Sequence, residues 1–176
     1  MSKVFKFSPT EEGRVLSPIE ESDIEVLFST ALAFHEPKAL PHSIQVKTKG
    51  HSELEKNTFF WIHPNCIVCD FYAYKSLNFY IAECGFWNEL LFDGKAIYLF
   101  TVTKTVFSLN EEKSDFIELD GIKLDVKEYF FDDFDASQNP IFLLGNMKGH
   151  YPLVSEFLVK KVSELGIRGM KFDQIN

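Results

Sequence analysis

The stretch that most constrains the fold lies at the C-terminal end, over residues 153–172. Leu153-Val154 reads as a short strand, and Ser155 stands where a helix cap is wanted. Phe157, Leu158, Val162 and Leu165 then recur at helical spacing, which predicts a helix to about Leu165 with that face buried. Gly166 stops the helix, and Gly169-Met170-Lys171-Phe172 reads as a final strand. The same order occurs earlier: Ile67-Val68-Cys69-Asp70-Phe71 parallels Leu153-Val154-Ser155-Glu156-Phe157. Each leads into a helix, a glycine (Gly85, Gly166) and an apolar strand ending in Phe (Phe92, Phe172). Short strand–helix–Gly–strand units also recur by chance, so a duplication and a coincidence both fit this pattern.

The rest of the chain reads mainly as short strands. Ile44-Gln45-Val46-Lys47 alternates, and Thr58-Phe59-Phe60-Trp61-Ile62 is a buried run. Further strands are expected at Leu90-Leu91-Phe92, Ala96–Val102, Phe116–Leu119, Ile122–Val126 and Pro140–Gly145. Asp120-Gly121 is a strong hairpin signal. A helix is predicted over about 70–83, and Gly85 fits its terminating position. Near the N-terminus, Ser17, Pro18 and Glu20 have the spacing of a helix start. That predicts a helix over 18–34, with Ile24, Leu27, Phe28, Ala31 and Leu32 on one face, ended by His35 and Pro37. The fold expected is α+β, a mostly antiparallel sheet with about three helices in a single domain spanning 1–176.

Composition supports a sizeable core. Hydrophobic residues make up 45% of the chain, and 19 of its 176 residues are Phe. A domain of about 150 residues buries roughly 68–70% of its unfolded surface, enough to fold without metals or disulfides. The three cysteines, Cys66, Cys69 and Cys84, are an odd number and point to free thiols in a reducing compartment. Met1-Ser2-Lys3-Val4-Phe5-Lys6 has no apolar signal core, and no apolar run reaches the ~18 residues of a membrane helix. A cytosolic protein without a membrane partner is therefore expected.

The net charge is −8, and it is concentrated. Residues 111–135 hold ten acids against Lys113, Lys123 and Lys127, or −7. A second acidic stretch, 11–25, has six acids against Arg14. Such a balance argues against binding a nucleic-acid backbone and suits a basic protein. Within the first stretch, Tyr129-Phe130-Phe131-Asp132-Asp133-Phe134-Asp135 mixes aromatics with acids. It reads either as an edge strand with a solvated loop or as an interaction patch. In the second case Phe131 and Phe134 are anchors, and Asp132, Asp133, Asp135, Glu128, Glu111 and Glu112 steer a basic partner.

Catalytic signatures are incomplete. Cys66-x-x-Cys69 is half of a zinc site with no second half, so buried thiols are the better reading and no metal or cofactor is expected. A thioredoxin-like role also fails, because it needs a strand–helix–strand setting with the first Cys of the pair at the helix N-terminus. His35, His42, His51, His63 and His150 show no paired metalloprotease spacing, although His35 and His42 lie near acids. Gly145-x-x-x-Gly149 lacks the Gly-Lys-Ser/Thr ending of a phosphate loop and reads as a turn.

One ordering of weak motifs resembles a known family. Val68-Cys69-Asp70 with its helix and Lys95–Val102 come first; Ser108-Leu109-Asn110-Glu111-Glu112-Lys113-Ser114-Asp115-Phe116, Pro140-Ile141-Phe142 and Pro152–Phe172 follow. This resembles bacterial immunity proteins encoded beside polymorphic toxins of contact-dependent inhibition and type VI secretion. Asn110 stands where that family often has Asp, and Cys69-Asp70 replaces its first Ser-Glu. The resemblance covers about residues 60–175; residues 1–57 lie outside it. It implies a non-enzymatic protein that neutralises a cognate toxin, often a nuclease with a basic cleft, by occluding its active site. A small metal-dependent hydrolase using His and Cys, and an acidic adaptor or nucleic-acid mimic, are the alternative readings.

Overall fold

The structure, a computed structural model, describes residues 3–10, 14–33, 36–48, 56–63, 66–147 and 151–176. Thirteen strands and three α-helices are present among them, and most strand pairs are antiparallel, so the fold is α+β. Six strands close a barrel: β2 (Arg14–Pro18), β3 (Ile44–Thr48), β4 (Phe59–Trp61), β5 (Cys66–Cys69), β6 (Gly85–Phe92) and β7 (Lys95–Val102). An open sheet has the order β13 (Met170–Gln174), β1 (Val4–Pro9), β12 (Leu153–Ser155), β11 (Ile141–Leu144) and β8 (Thr105–Val106). A separate two-stranded ribbon joins β9 (Asp115–Leu119) to β10 (Ile122–Glu128).

The two strand–helix–Gly–strand segments take the same form. Helix α2 (Phe71–Ile81) connects β5 to β6, and both of those strands pair antiparallel to β7, which lies between them. Helix α3 (Glu156–Glu164) connects β12 to β13, and both pair antiparallel to β1. The correspondence extends outward. β4 pairs antiparallel to β5 and parallel to β2, as β11 pairs antiparallel to β12 and parallel to β8. The middle strand is the one difference in chain order. In the first unit it follows the helix, as β7; in the second it is the N-terminal strand β1, with Phe5 opposite Gln174. In the barrel, β3 closes the ring by pairing with β2 and β6.

Three apolar cores follow from this arrangement. Leu16, Ile44, Val46, Phe60, Val68, Leu90, Ile97 and Leu99 fill one, together with Leu27, Ala31 and Leu32 from the α1 region. A second joins the two units through their helices: Ala73, Leu77 and Ile81 of α2 and Leu158 and Val162 of α3 pack with Ile67, Phe100, Ile141 and Val154. A third lies against β11 and β12, where Phe142, Leu144 and Leu153 meet Leu109, Val126, Tyr129 and Phe131.

Several local expectations are corrected by long-range pairing. The first helix, α1, spans Glu21–Ser29, not 18–34. Ser17 and Pro18 belong to β2, where they lie opposite Lys47 and Val46; a sheet ladder outweighs a favourable cap spacing. Leu27, Ala31 and Leu32 are buried as expected, but Ile24 and Phe28 are 42% and 45% exposed. Gly85 does not cap α2 in a left-handed turn. It is extended and opens β6, where a Cβ would sit 1.9 Å from the Thr101 carbonyl oxygen. Ser155 precedes α3, but its hydroxyl donates to the Ala136 carbonyl at 2.9 Å instead of capping the helix. Of the predicted α3 face, Leu158 and Val162 are buried and Phe157 and Leu165 are half-buried. No described helix is long and apolar enough to cross a membrane.

Candidate protein-binding surface

The acidic segment forms the ribbon and the two loops at its base. The turn Asp120-Gly121 has φ of 51° and 77°, both left-handed, as a two-residue hairpin turn requires. The segment Ser108–Ser114 is bound to 130–132. Asn110 N donates to the Phe130 carbonyl at 2.8 Å, Asp132 N to the Ser108 carbonyl at 2.8 Å, and Phe130 N to Ser114 Oγ at 3.1 Å. The Asn110 carboxamide oxygen accepts from Glu112 N at 3.1 Å and Lys113 N at 2.9 Å, while its amide donates to Asp132 at 2.5 Å. The motif singled out in the sequence is thus the clamp that holds the base of the ribbon.

Phe131 is not a surface anchor, and Phe134 is half covered. Phe131 is 3% exposed and belongs to the third core, with Phe134 packed half-buried against it at a ring-centroid distance of 5.4 Å. The apolar rings turn inward because β11 and β12 present Phe142 and Leu153 there, and the acids between them are left outside. Phe130 faces solvent, at 37% exposure.

The acids divide into two groups. Glu111 pairs with Lys123 at 2.6 Å and accepts from the Asn146 amide at 2.9 Å, and these bonds hold its carboxyl below the usual range. Asp115 pairs with Lys127 at 3.1 Å, Asp132 with Lys113 at 3.9 Å and Asp125 with Lys6 at 3.3 Å. Asp135 accepts from the Ser137 hydroxyl at 2.7 Å and the Ser137 amide at 2.9 Å, which lowers its pKa. Every lysine of the segment is therefore occupied. Glu112, Glu118, Asp120, Glu128 and Asp133 are exposed and have no cation partner among the described residues. Of the sequence-predicted acids, Glu112, Glu128 and Asp133 are thus bare, while Glu111, Asp132 and Asp135 are engaged in holding the loops.

One feature of the ribbon was not read from the sequence. Phe116 and Val126 lie opposite each other and face the third core. On the opposite face, Ile117, Leu119 and Ile122 are 49%, 61% and 65% exposed, and Leu124, in the bulge, is 56% exposed. Leu119 lies directly across from Ile122, and a bulge between Lys123 and Asp125 leaves Leu124 outside the pairing. The signal was available: apolar residues at both odd and even positions of one hairpin occupy both faces, and a lone ribbon can bury only one.

The residues weighed for catalysis are placed differently. Cys66 points into the barrel core and Cys69 into the core shared with the helices, because an odd offset puts them on opposite faces of β5. The two thiols therefore cannot converge on one metal. Burial raises the pKa of both, and of Cys84, where the Ile141 backbone opposes it in part. His42 lies 3.2 Å from Asp23, while His35, His51 and His150 lie outside the described residues. Burial lowers the pKa of His63, whose ring meets Phe28 edge-on at 5.0 Å. Among the described residues, no three His, Cys, Asp or Glu side chains gather as a metal-holding group. A cleft of about 610 Å³ beyond the end of α2 presents Glu83 and Lys104, with Cys84 buried in its wall.

No protein-family model matches the chain, and no curated protein matches it.

Proposed function

We propose that this chain is an immunity protein that acts by binding, not by catalysis. Its target is a basic protein toxin of the nuclease kind, and it neutralises that toxin by occluding the active site. The observation that carries this reading is the division of the acids: all three lysines of 111–135 are paired internally, leaving five carboxylates on one exposed segment with no cation partner among the described residues. Such a surface projects a negative field over about a Debye length, ~8 Å at physiological salt, and speeds encounter with a positive surface. The motif order that resembles immunity proteins supports the same reading, because Ser108–Ser114 holds that segment in place.

The test uses the purified product of the gene adjacent to this one. Surface plasmon resonance at two salt concentrations is expected to show tight, salt-sensitive association. Replacing Glu112, Glu118, Asp120, Glu128 and Asp133 by Gln or Asn is expected to lower the on-rate roughly ten-fold or more at low salt, with the gap closing as salt rises. Absence of binding by the unaltered protein, or an unchanged on-rate in the five-fold variant, overturns this assignment of the surface.

A further inference from the structure

We infer that the outward face of the β9–β10 ribbon is the docking element of this protein. Ile117, Leu119, Ile122 and Leu124 form the contact, and the occupant is a basic protein surface with an apolar centre. The inference rests on the function proposed above and specifies where the partner sits.

Ile117, Leu119 and Ile122, each about half exposed or more, share one face of a ribbon only two strands wide, and Leu124, also more than half exposed, stands in the bulge beside them. Scattered exposed aliphatics need no explanation, but a contiguous apolar face marks an interface. The ribbon's other face is already used by Phe116 and Val126 against the third core, and by Lys123, whose amine lies 4.0 Å from the centre of the Phe116 ring. Ile117, Leu119, Ile122 and Leu124 belong to none of the three apolar cores. The outward face is nevertheless held in position: Lys123 bonds Glu111 at 2.6 Å, Asp125 bonds Lys6 at 3.3 Å, and the ribbon's base is bound by the Asn110 clamp. Two-stranded hairpins are marginal alone, so these ties keep the face presented before a partner arrives.

Charge selects the occupant. The bare carboxylate of Asp120 stands at the tip, and Glu128, opposite Asp115, stands at the base. A second copy of this chain would bring the same bare acids against them, and an anionic membrane would be repelled in the same way. A surface carrying Lys and Arg around an apolar patch pairs the rim and covers the centre at once. Apolar residues at the centre then govern residence time, while the surrounding acids govern encounter.

The test is again the purified product of the adjacent gene, bound to the variant Leu119→Ser/Ile122→Ser. Both side chains are exposed, so the melting temperature is expected to stay within a few degrees of the unaltered protein. The off-rate is expected to rise roughly ten-fold or more with little change in on-rate. Amide hydrogen exchange across residues 115–128 is expected to slow in the complex of the unaltered proteins, a readout that does not depend on how the variant folds. An unchanged off-rate, or no slowing of exchange in the ribbon, overturns the inference while the proposed function stands. Failure of the unaltered protein to bind overturns the function and this inference together. Sedimentation that shows a dimer dispersed by the double variant assigns the face to a second copy and overturns the choice of partner.

Discussion

The ring of Phe131 lies almost parallel to that of Tyr129, with planes 10° apart and centroids 6.2 Å apart. Phe142 meets Phe131 edge-on at 6.4 Å, so the ring is held on two sides inside the third core. Phe131→Ala is therefore expected to act on stability, at a cost of ~3–5 kcal/mol in urea unfolding. The partner's off-rate from the molecules that remain folded is expected to be unchanged. A variant with normal stability and fast dissociation would return Phe131 to the interface.

Leu158 of α3 is 1% exposed, in the core that also holds Ala73, Leu77 and Ile81 of α2. It thereby joins the two strand–helix–strand units. Leu158→Ala is expected to cost ~2–5 kcal/mol, because the helices and sheets around it are braced on several sides and cannot collapse into the cavity. Thermal melting measures this, and an unchanged transition would show that the helices do not share a core.

Gly169 has φ of 92°, and a Cβ there would stand 2.5 Å from the carbonyl oxygen of Phe59. The neighbouring Arg168 carbonyl accepts from Phe59 N at 2.8 Å, so the C-terminal segment is tied to the barrel at this point. Gly121 has φ of 77° in the ribbon turn with no atom within 4 Å of a Cβ. Gly121→Ala is expected to cost only the left-handed strain, ~1–2 kcal/mol. Gly169→Ala adds a backbone clash and is expected to cost ~1–3 kcal/mol more. Denaturant midpoints compare the two, and equal midpoints would remove the tie.

Glu111 titrates below the ordinary glutamate range because Lys123 and Asn146 bond its carboxylate. A depressed folded-state pKa stabilises the fold above the unfolded pKa, and that contribution disappears as pH falls through the folded value. Glu111 is exposed, so the stability at stake is small, but its own titration is readable by carbon-detected NMR. In Lys123→Met the Glu111 pKa is expected to rise toward the ordinary value. An unmoved titration would show that the ion pair does not hold the ribbon to the 110–113 turn.

The elements legible in the sequence were those fixed by neighbouring residues. Asp120-Gly121 predicted its turn, and Leu158 and Val162 predicted the buried side of α3, because turn dihedrals and helical faces depend on residues a few positions apart. Ser17-Pro18-x-Glu20 failed by the same logic: the spacing was right for a helix start, but the ladder to Lys47 and Val46 lies some thirty positions away. The candidate surface was half legible. Its acids lay where the charge count placed them, but which acids are bare depended on Lys6, Lys113, Lys123 and Lys127 finding partners across turns and strands.

What the sequence determined by itself is therefore the local vocabulary: the two strand–helix–Gly–strand segments, the hairpin, and the concentration of negative charge in 111–135. What only the tertiary structure decided is how these are combined. The N-terminal strand supplies the middle of the second unit, Val4 lying opposite Ser155 across almost the whole chain. The rings of Phe131 and Phe134 turn inward, and the aliphatic face of the ribbon turns outward. Each outcome depends on which surfaces remain uncovered after distant strands have paired, and the free energy of burial has no counterpart in the spacing of adjacent residues.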